Sequence, residues 1–127
     1  MRVAAIPSQS PRLAASPATE RPIDLVHLAR ATDGDEALEA ELLAMFDRQS
    51  EKLIERLKLA ELPRRARADI AHRLRGSALA IGAFACAQAA GALETAFTGE
   101  GPEPEAEIAA LAAAVATARN AIADLAD

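Results

Sequence analysis

Near the C-terminal end of the chain, Ile108, Leu111, Val115, Ala118, Ile122 and Leu125 recur at alternating intervals of three and four. That period matches one face of an α-helix and no face of a strand. The same spacing returns in Leu38, Leu42, Phe46, Gln49, Leu53 and Leu57, and in Ile70, Leu74, Ser77, Ala78 and Ile81. A further set, Cys86, Ala90, Leu93 and Phe97, completes the series. No stretch alternates apolar and polar residues as a half-buried strand would. Hydrophobic residues make up 51% of the chain and aromatics only 2%, so alanine supplies much of the apolar content. Alanine is the best helix former and a poor strand residue. Helices with so few large side chains bury enough surface only if they approach closely, which small residues permit.

Breakers divide these stripes into five helices. Pro22 and Asp24 open a short one over about 23–32, with Asp24 as a candidate cap and Ile23, Val26 and Leu28 turned inward. Thr32-Asp33-Gly34-Asp35 breaks the chain. Asp33 or Asp35 can then accept from the free N–H groups that start a long helix reaching about Leu59, and Glu36 suits its positive end. Leu62-Pro63 separates it from a third helix over about 63–81, because proline is tolerated at a first helical position. Gly82 is placed to stop that helix in a left-handed conformation. A fourth helix runs over about 84–98 to Gly99, and Pro104 opens the last. The expectation is an all-α fold: an antiparallel up-down-up-down four-helix bundle with a short N-terminal capping helix. Residues 1–21, rich in Ala, Ser and Pro, read as a disordered tail, and 22–127 as the bundle domain.

Several function classes become poor fits. The net charge of −5 argues against nucleic acid, as does the lack of an aromatic platform. Cys86 is the only cysteine, so no internal disulfide can form, and its inward position makes it a small core residue. Pro7, Pro11 and Pro17 interrupt the first residues, which do not read as a signal peptide. No uninterrupted run of 18 apolar residues suggests a membrane span. A cytoplasmic monomer is expected, since four amphipathic helices can bury one another. His27, His72 and Cys86 lack the spacing of metal ligands, so no metal site is expected. His27, in the short first helix, reads as a rim residue.

The third helix holds the unusual feature. At about 100° per residue, the side opposite its apolar stripe collects Arg65, Ala68, Asp69, His72, Arg75, Gly76 and Leu79. His72 therefore faces solvent in mid-helix. Gly76 beside it costs roughly 1 kcal/mol against alanine. In a chain this rich in alanine, that glycine reads as clearance for another surface. Residues 61–75 carry Arg64, Arg65, Arg67, Arg73 and Arg75 against Glu61 and Asp69, in a chain that is otherwise acidic. A solvated face that happens to include a histidine is the plain reading. An exposed imidazole with cleared access and nearby cations also suits phosphoryl chemistry.

Ala71-His72-Arg73-Leu74-Arg75-Gly76-Ser77, then Ile81-Gly82-Ala83, then Leu93-Glu94 resemble the histidine-containing phosphotransfer (HPt) domain family. The family motif runs A-H-x-L-K-G-S, with a glycine about ten residues after the histidine and L-E in the next helix. The resemblance covers about 24–115, including the Ile23-Asp24-Leu25 opening. It implies that His72 accepts a phosphoryl group from a receiver-domain phospho-aspartate and passes it to another receiver. Arg75 stands where the family has lysine, keeping the charge but changing its shape. By the same resemblance, Arg75 stabilises phosphoryl charge, Gly76 gives clearance, and Glu94 orients the imidazole; a plain surface glutamate is the alternative for Glu94. The docking face would combine Leu79 and Met45 with Arg65, Ala68, Asp69 and Arg73. Partners would be response-regulator receivers, with a hybrid sensor histidine kinase as a further candidate. Mg²⁺ would come from the receiver, so this chain needs no cofactor of its own. It would be a phosphocarrier rather than a kinase, since no glycine-rich phosphate loop is present.

Two other readings compete. The dimerisation domain of a sensor kinase also carries histidine on a helix. It usually follows that histidine with an acid and then proline, whereas Arg73 follows here and no proline comes before Pro102. A degenerate HPt-like module that binds a receiver or kinase without taking phosphate is the other; phosphorylation of His72 separates it from the phosphotransfer reading.

Overall fold

The computed structural model describes residues 21–126. The reading of 1–21 as a tail falls, Arg21 apart, outside the described residues. Five helices and no strand are found among them: α1 Leu25–Ala31, α2 Glu36–Leu57, α3 Arg64–Ala80, α4 Phe84–Thr98 and α5 Glu105–Ala126. Helices α2 to α5 run up-down-up-down, each packed on its two neighbours, and α5 closes back on α2. The expected bundle is the observed one.

Side chains at the helix starts explain the boundaries. Asp24 Oδ1 accepts from the backbone N–H groups of Val26 and His27 at 3.0 and 3.1 Å, and Asp35 Oδ1 from Leu38 at 3.0 Å. Of the two candidate caps for α2, Asp35 is the one used; Asp33 instead takes a positive φ of 54° in the turn with Gly34. At the end of α3, Gly82 has φ 78°. Its N–H donates to Leu79 O at 3.2 Å and that of Ala83 to Ala78 O at 2.8 Å, a Schellman closure. Asp24 N–H donates to Gly82 O at 2.9 Å, which seats α1 on this turn. A Cβ at Gly82 would lie 2.7 Å from Asp24 O, so the close approach itself requires glycine.

The core is built as the stripes predict, with local corrections. Phe46, Leu53, Leu57, Ile70, Leu74, Leu93, Phe97, Ile108, Leu111 and Val115 are buried. Ala71, Ala78, Ala87 and Ala90 are also buried, and these small residues let α3 and α4 form the most extensive contact in the bundle. Cys86 is buried with them, and burial pushes its thiol up to about 11. Gln49 and Leu38, expected inside, are exposed. The buried arc of α2 is centred between Phe46 and Ser50 and extends to Ile54 toward α5, leaving those two on the rim. Val26 is 61% exposed because Leu28, two residues on and about 200° around the helix, takes the inward side. Leu125 is exposed in the last turn of α5, where it edges an apolar groove with Ala40 and Leu43 of α2. Ser77 is only half-buried.

By length and composition α5 could cross a membrane, a property the count of uninterrupted apolar residues overlooks because Thr117, Arg119 and Asn120 break the run. Its Ile108, Leu111, Val115 and Ile122 nevertheless pack into the bundle. Arg119 pairs outward with Asp47 at 2.8 Å and Glu51 at 3.4 Å on α2.

Candidate functional site

The α3–α4 contact decides what surrounds His72. The two helices are antiparallel and joined by the short Gly82 turn, so residues before the turn on α3 meet residues after it on α4. His72 and Glu94 come to the same level. The His72 side chain is 65% exposed, and its Nδ1 lies 3.1 Å from Glu94 Oε2. A carboxylate can only accept, so Nδ1 carries the hydrogen, and in the neutral ring the lone pair is then on Nε2. The imidazole is thus exposed, with one nitrogen held by Glu94 and the other without a partner among the described residues.

Gly76 lies one turn from His72 on the same side. Apart from its own helix backbone and chain neighbours, no described residue comes within 4 Å of the position its Cβ would take, and its φ is not positive. Neither packing nor backbone conformation inside the bundle therefore demands glycine. Arg75 is exposed and makes no hydrogen bond or ion pair among the described residues. Its donors are free among the described residues, and it stands one turn from His72, since residues three apart on a helix are about 5–6 Å apart at Cβ.

Arg65, Asp69 and Arg73 are exposed on this face and Ala68 is half-buried. Leu79 is 39% exposed and Met45, on α2, 42%. The two flank the C-terminal half of α3. Met45 borders the α2–α3 groove with Gln49, Ser77 and Ala80, and Leu79 borders the α3–α4 groove with Phe84. Helix α1 extends this surface in a way the apolar pattern did not indicate. His27 Nε2 donates to Leu79 O at 2.8 Å and its ring meets Phe84 edge-on, which leaves Val26 exposed. The hydrogen bond follows from the tertiary fold, and sequence spacing carries no signal for it.

Two arginines counted with the basic cluster serve the scaffold instead. Arg67 is 2% exposed. Its Nη2 donates to Glu103 Oε1 at 2.9 Å in a two-pronged pair, its Nε donates to Leu62 O, and the guanidinium lies over the Phe97 ring at 4.6 Å. Arg64 donates to Ala96 O at 2.7 Å and Gly99 O at 3.0 Å, closing the C-terminus of α4. Gly99 itself is extended, with φ −97°, so the capping is done by a side chain from α3. The cations available around His72 are therefore Arg65, Arg73 and Arg75. Their sequence neighbours Arg64 and Arg67 stabilise the far end of the same helix.

Helix α3 thus carries a solvent-facing imidazole, a guanidinium without a hydrogen-bond or ion-pair partner among the described residues and an open position at Gly76, and α4 supplies the carboxylate partner. These features sit together on one face of a four-helix bundle. The profile of the Hpt domain family matches residues 41–124, more than half of the chain. The chain belongs to the Hpt domain family, and with that membership comes a role in histidine phosphotransfer within two-component phosphorelays. No curated protein and no solved structure matches it significantly.

Proposed function

We propose that His72 is the phosphoacceptor and that this chain shuttles a phosphoryl group between receiver domains. The single observation that carries the reading is the His72–Glu94 pair on an exposed helix face. With Nδ1–H held by Glu94, the Nε2 lone pair attacks the phosphorus of an aspartyl phosphate. The N–P bond forms, the acyl P–O bond breaks, and the aspartate leaves as a carboxylate. The ring retains its Nδ1 hydrogen and gains positive charge, which the adjacent Glu94 carboxylate stabilises. Arg75 offers charge-assisted hydrogen bonds to the transferring oxygens. Return transfer is the reverse: a second receiver's carboxylate attacks phosphorus and the imidazole leaves.

The partner in this reading is a response-regulator receiver, with a hybrid sensor kinase as upstream source, and Mg²⁺ enters with the receiver's own acidic site. Leu79 and Met45 form the apolar centre of docking, with Arg65, Ala68, Asp69 and Arg73 around it. The carrier acts as a cytoplasmic monomer. Incubation with phosphorylated receiver domains tests this. Wild type should take up acid-labile, base-stable label, and His72→Gln should take up none. Binding of the receiver without label on wild type would instead establish the non-phosphorylated regulatory module. Label that survives His72→Gln would refute His72 as the acceptor.

A further inference from the structure

Glycine occurs twice in mid-helix next to the candidate site, and the two instances differ. Gly76 faces open space, but Gly91, in α4, does not. A Cβ built at Gly91 would lie 3.5 Å from Nε and 3.6 Å from Cδ of Arg75. Arg75 therefore lies down across the bare backbone of α4, where it borders a groove with Leu79, Phe84 and Gln88. The antiparallel packing produces two successive rungs. His72 meets Glu94 on one, and three residues along each helix Arg75 meets Gly91 on the other. An ordinary side chain at 91 would occupy the surface on which the arginine rests.

This matters because Arg75 has no hydrogen-bond or ion-pair partner among the described residues. An exposed arginine with no hydrogen bond or ion pair normally samples many rotamers, and ordering it costs side-chain entropy. Resting the stem on α4 removes part of that freedom before the partner arrives. It also tips the guanidinium toward the side of the helix on which Glu94 fixes the imidazole. The planar, branched head of arginine needs more room than a lysine ammonium; a lone Cβ at 91 would meet it in ordinary van der Waals contact, and any larger side chain would intrude on it.

We propose that Gly91 is a positioning residue for phosphotransfer: by lacking a side chain it lets Arg75 lie along α4, so that the guanidinium is held beside His72. The proposal rests on the reading of His72 as phosphoacceptor and Arg75 as its charge partner.

A double-mutant cycle tests it, using single-turnover transfer from a phosphorylated receiver domain. Gly91→Leu should slow the transfer step at saturating receiver by roughly tenfold to a hundredfold, the scale of a misplacement of about 1 Å. Receiver affinity should change far less. In an Arg75→Ala background, already slow, Gly91→Leu should cause no further loss. Equal losses in both backgrounds, or no loss in either, would overturn the proposal. A second measurement needs no variant and no activity. The ¹⁵N relaxation of the Arg75 side-chain Nε should show restricted motion compared with Arg65 and Arg73 in the same protein. Equal mobility of all three would overturn the proposal even if Gly91→Leu failed to fold. Failure of wild type to accept phosphate is a separate result, and it would count against His72 as the acceptor rather than against the Arg75–Gly91 packing.

Discussion

Replacing Gly76 should separate stability from function. The position is exposed, lies in the interior of α3 and has no atom within 4 Å of a would-be Cβ. Substitution by glutamine therefore creates no clash and relieves the entropic cost of a helical glycine. From helix propensity alone, Gly76→Gln should stabilise the fold by about 0.5–1 kcal/mol. For a domain near 100 residues that is a rise of roughly 2–6 °C in melting temperature. The same side chain stands one turn from His72 and occupies space that a docking receiver needs. Nucleophile and phosphorus must come to about 3–3.5 Å before transfer, so phosphorylation should fall by at least about tenfold. Thermal unfolding followed by circular dichroism gives the first number, and label uptake from a phosphorylated receiver gives the second. A graded series through Gly76→Ala should show stability rising at once and transfer falling with side-chain size. A destabilised variant would mean that the fold itself requires this glycine. A stabilised variant that transfers at the wild-type rate would refute the clearance argument.

Two further outcomes follow from the scaffold. Gly82→Ala should destabilise by about 2–3 kcal/mol, because a left-handed φ of 78° penalises any Cβ and the new atom meets Asp24 O at 2.7 Å. Amide exchange should show α1 losing protection before the four-helix core, and a loss below about 0.5 kcal/mol would contradict the packing described for α1. The hydrogen bond from Arg67, aided by the positive charges of Arg67 and Arg64, holds the Glu103 carboxyl below its ordinary 4.5. A carboxylate with a lowered folded value stabilises above the unfolded value and loses that contribution as pH falls through the folded one. Glu103→Gln should cost about 1–3 kcal/mol at neutral pH, with the gap to wild type closing as pH drops below 4.5 in denaturant titrations. A gap that stays constant with pH would show that the ion pair contributes nothing.

The alanine content reconciles a small aromatic inventory with a well-buried core. Large side chains alone would leave α3 and α4 too far apart for a histidine on one to reach a carboxylate on the other. Ala71, Ala78, Ala87 and Ala90 sit in that contact, all 5% exposed or less. The close approach that compensates for a thin core also brings Glu94 to His72 and Gly91 under Arg75. Enlarging one of those alanines would therefore disturb the site as well as the packing.

The helical period, the breakers and the outward position of His72 were legible in the chain because all three depend on residues close in sequence. Helix ends at Asp24, Asp35 and Gly82 were legible for the same reason: a cap or a left-handed stop acts within a few residues. The errors fall where burial depends on a neighbour that periodicity does not specify. Val26, Leu38, Gln49 and Leu125 lie on rims or terminal turns, where an adjacent helix stops short or packs on the other side. The separation of the arginines was also beyond local reading. Nothing in Arg64-Arg65-Ala66-Arg67 distinguishes a cation that closes α4, or one buried against Glu103 and Phe97, from one free in solvent. That distinction depends on where the α4–α5 loop lands, roughly 35 residues away in the chain. Sequence by itself determined which face of α3 bears the imidazole and its clearance, since a helix repeats every 3.6 residues regardless of context. Only the antiparallel packing of α3 on α4 decided which ring nitrogen is held, by which carboxylate, and what supports the arginine beside it.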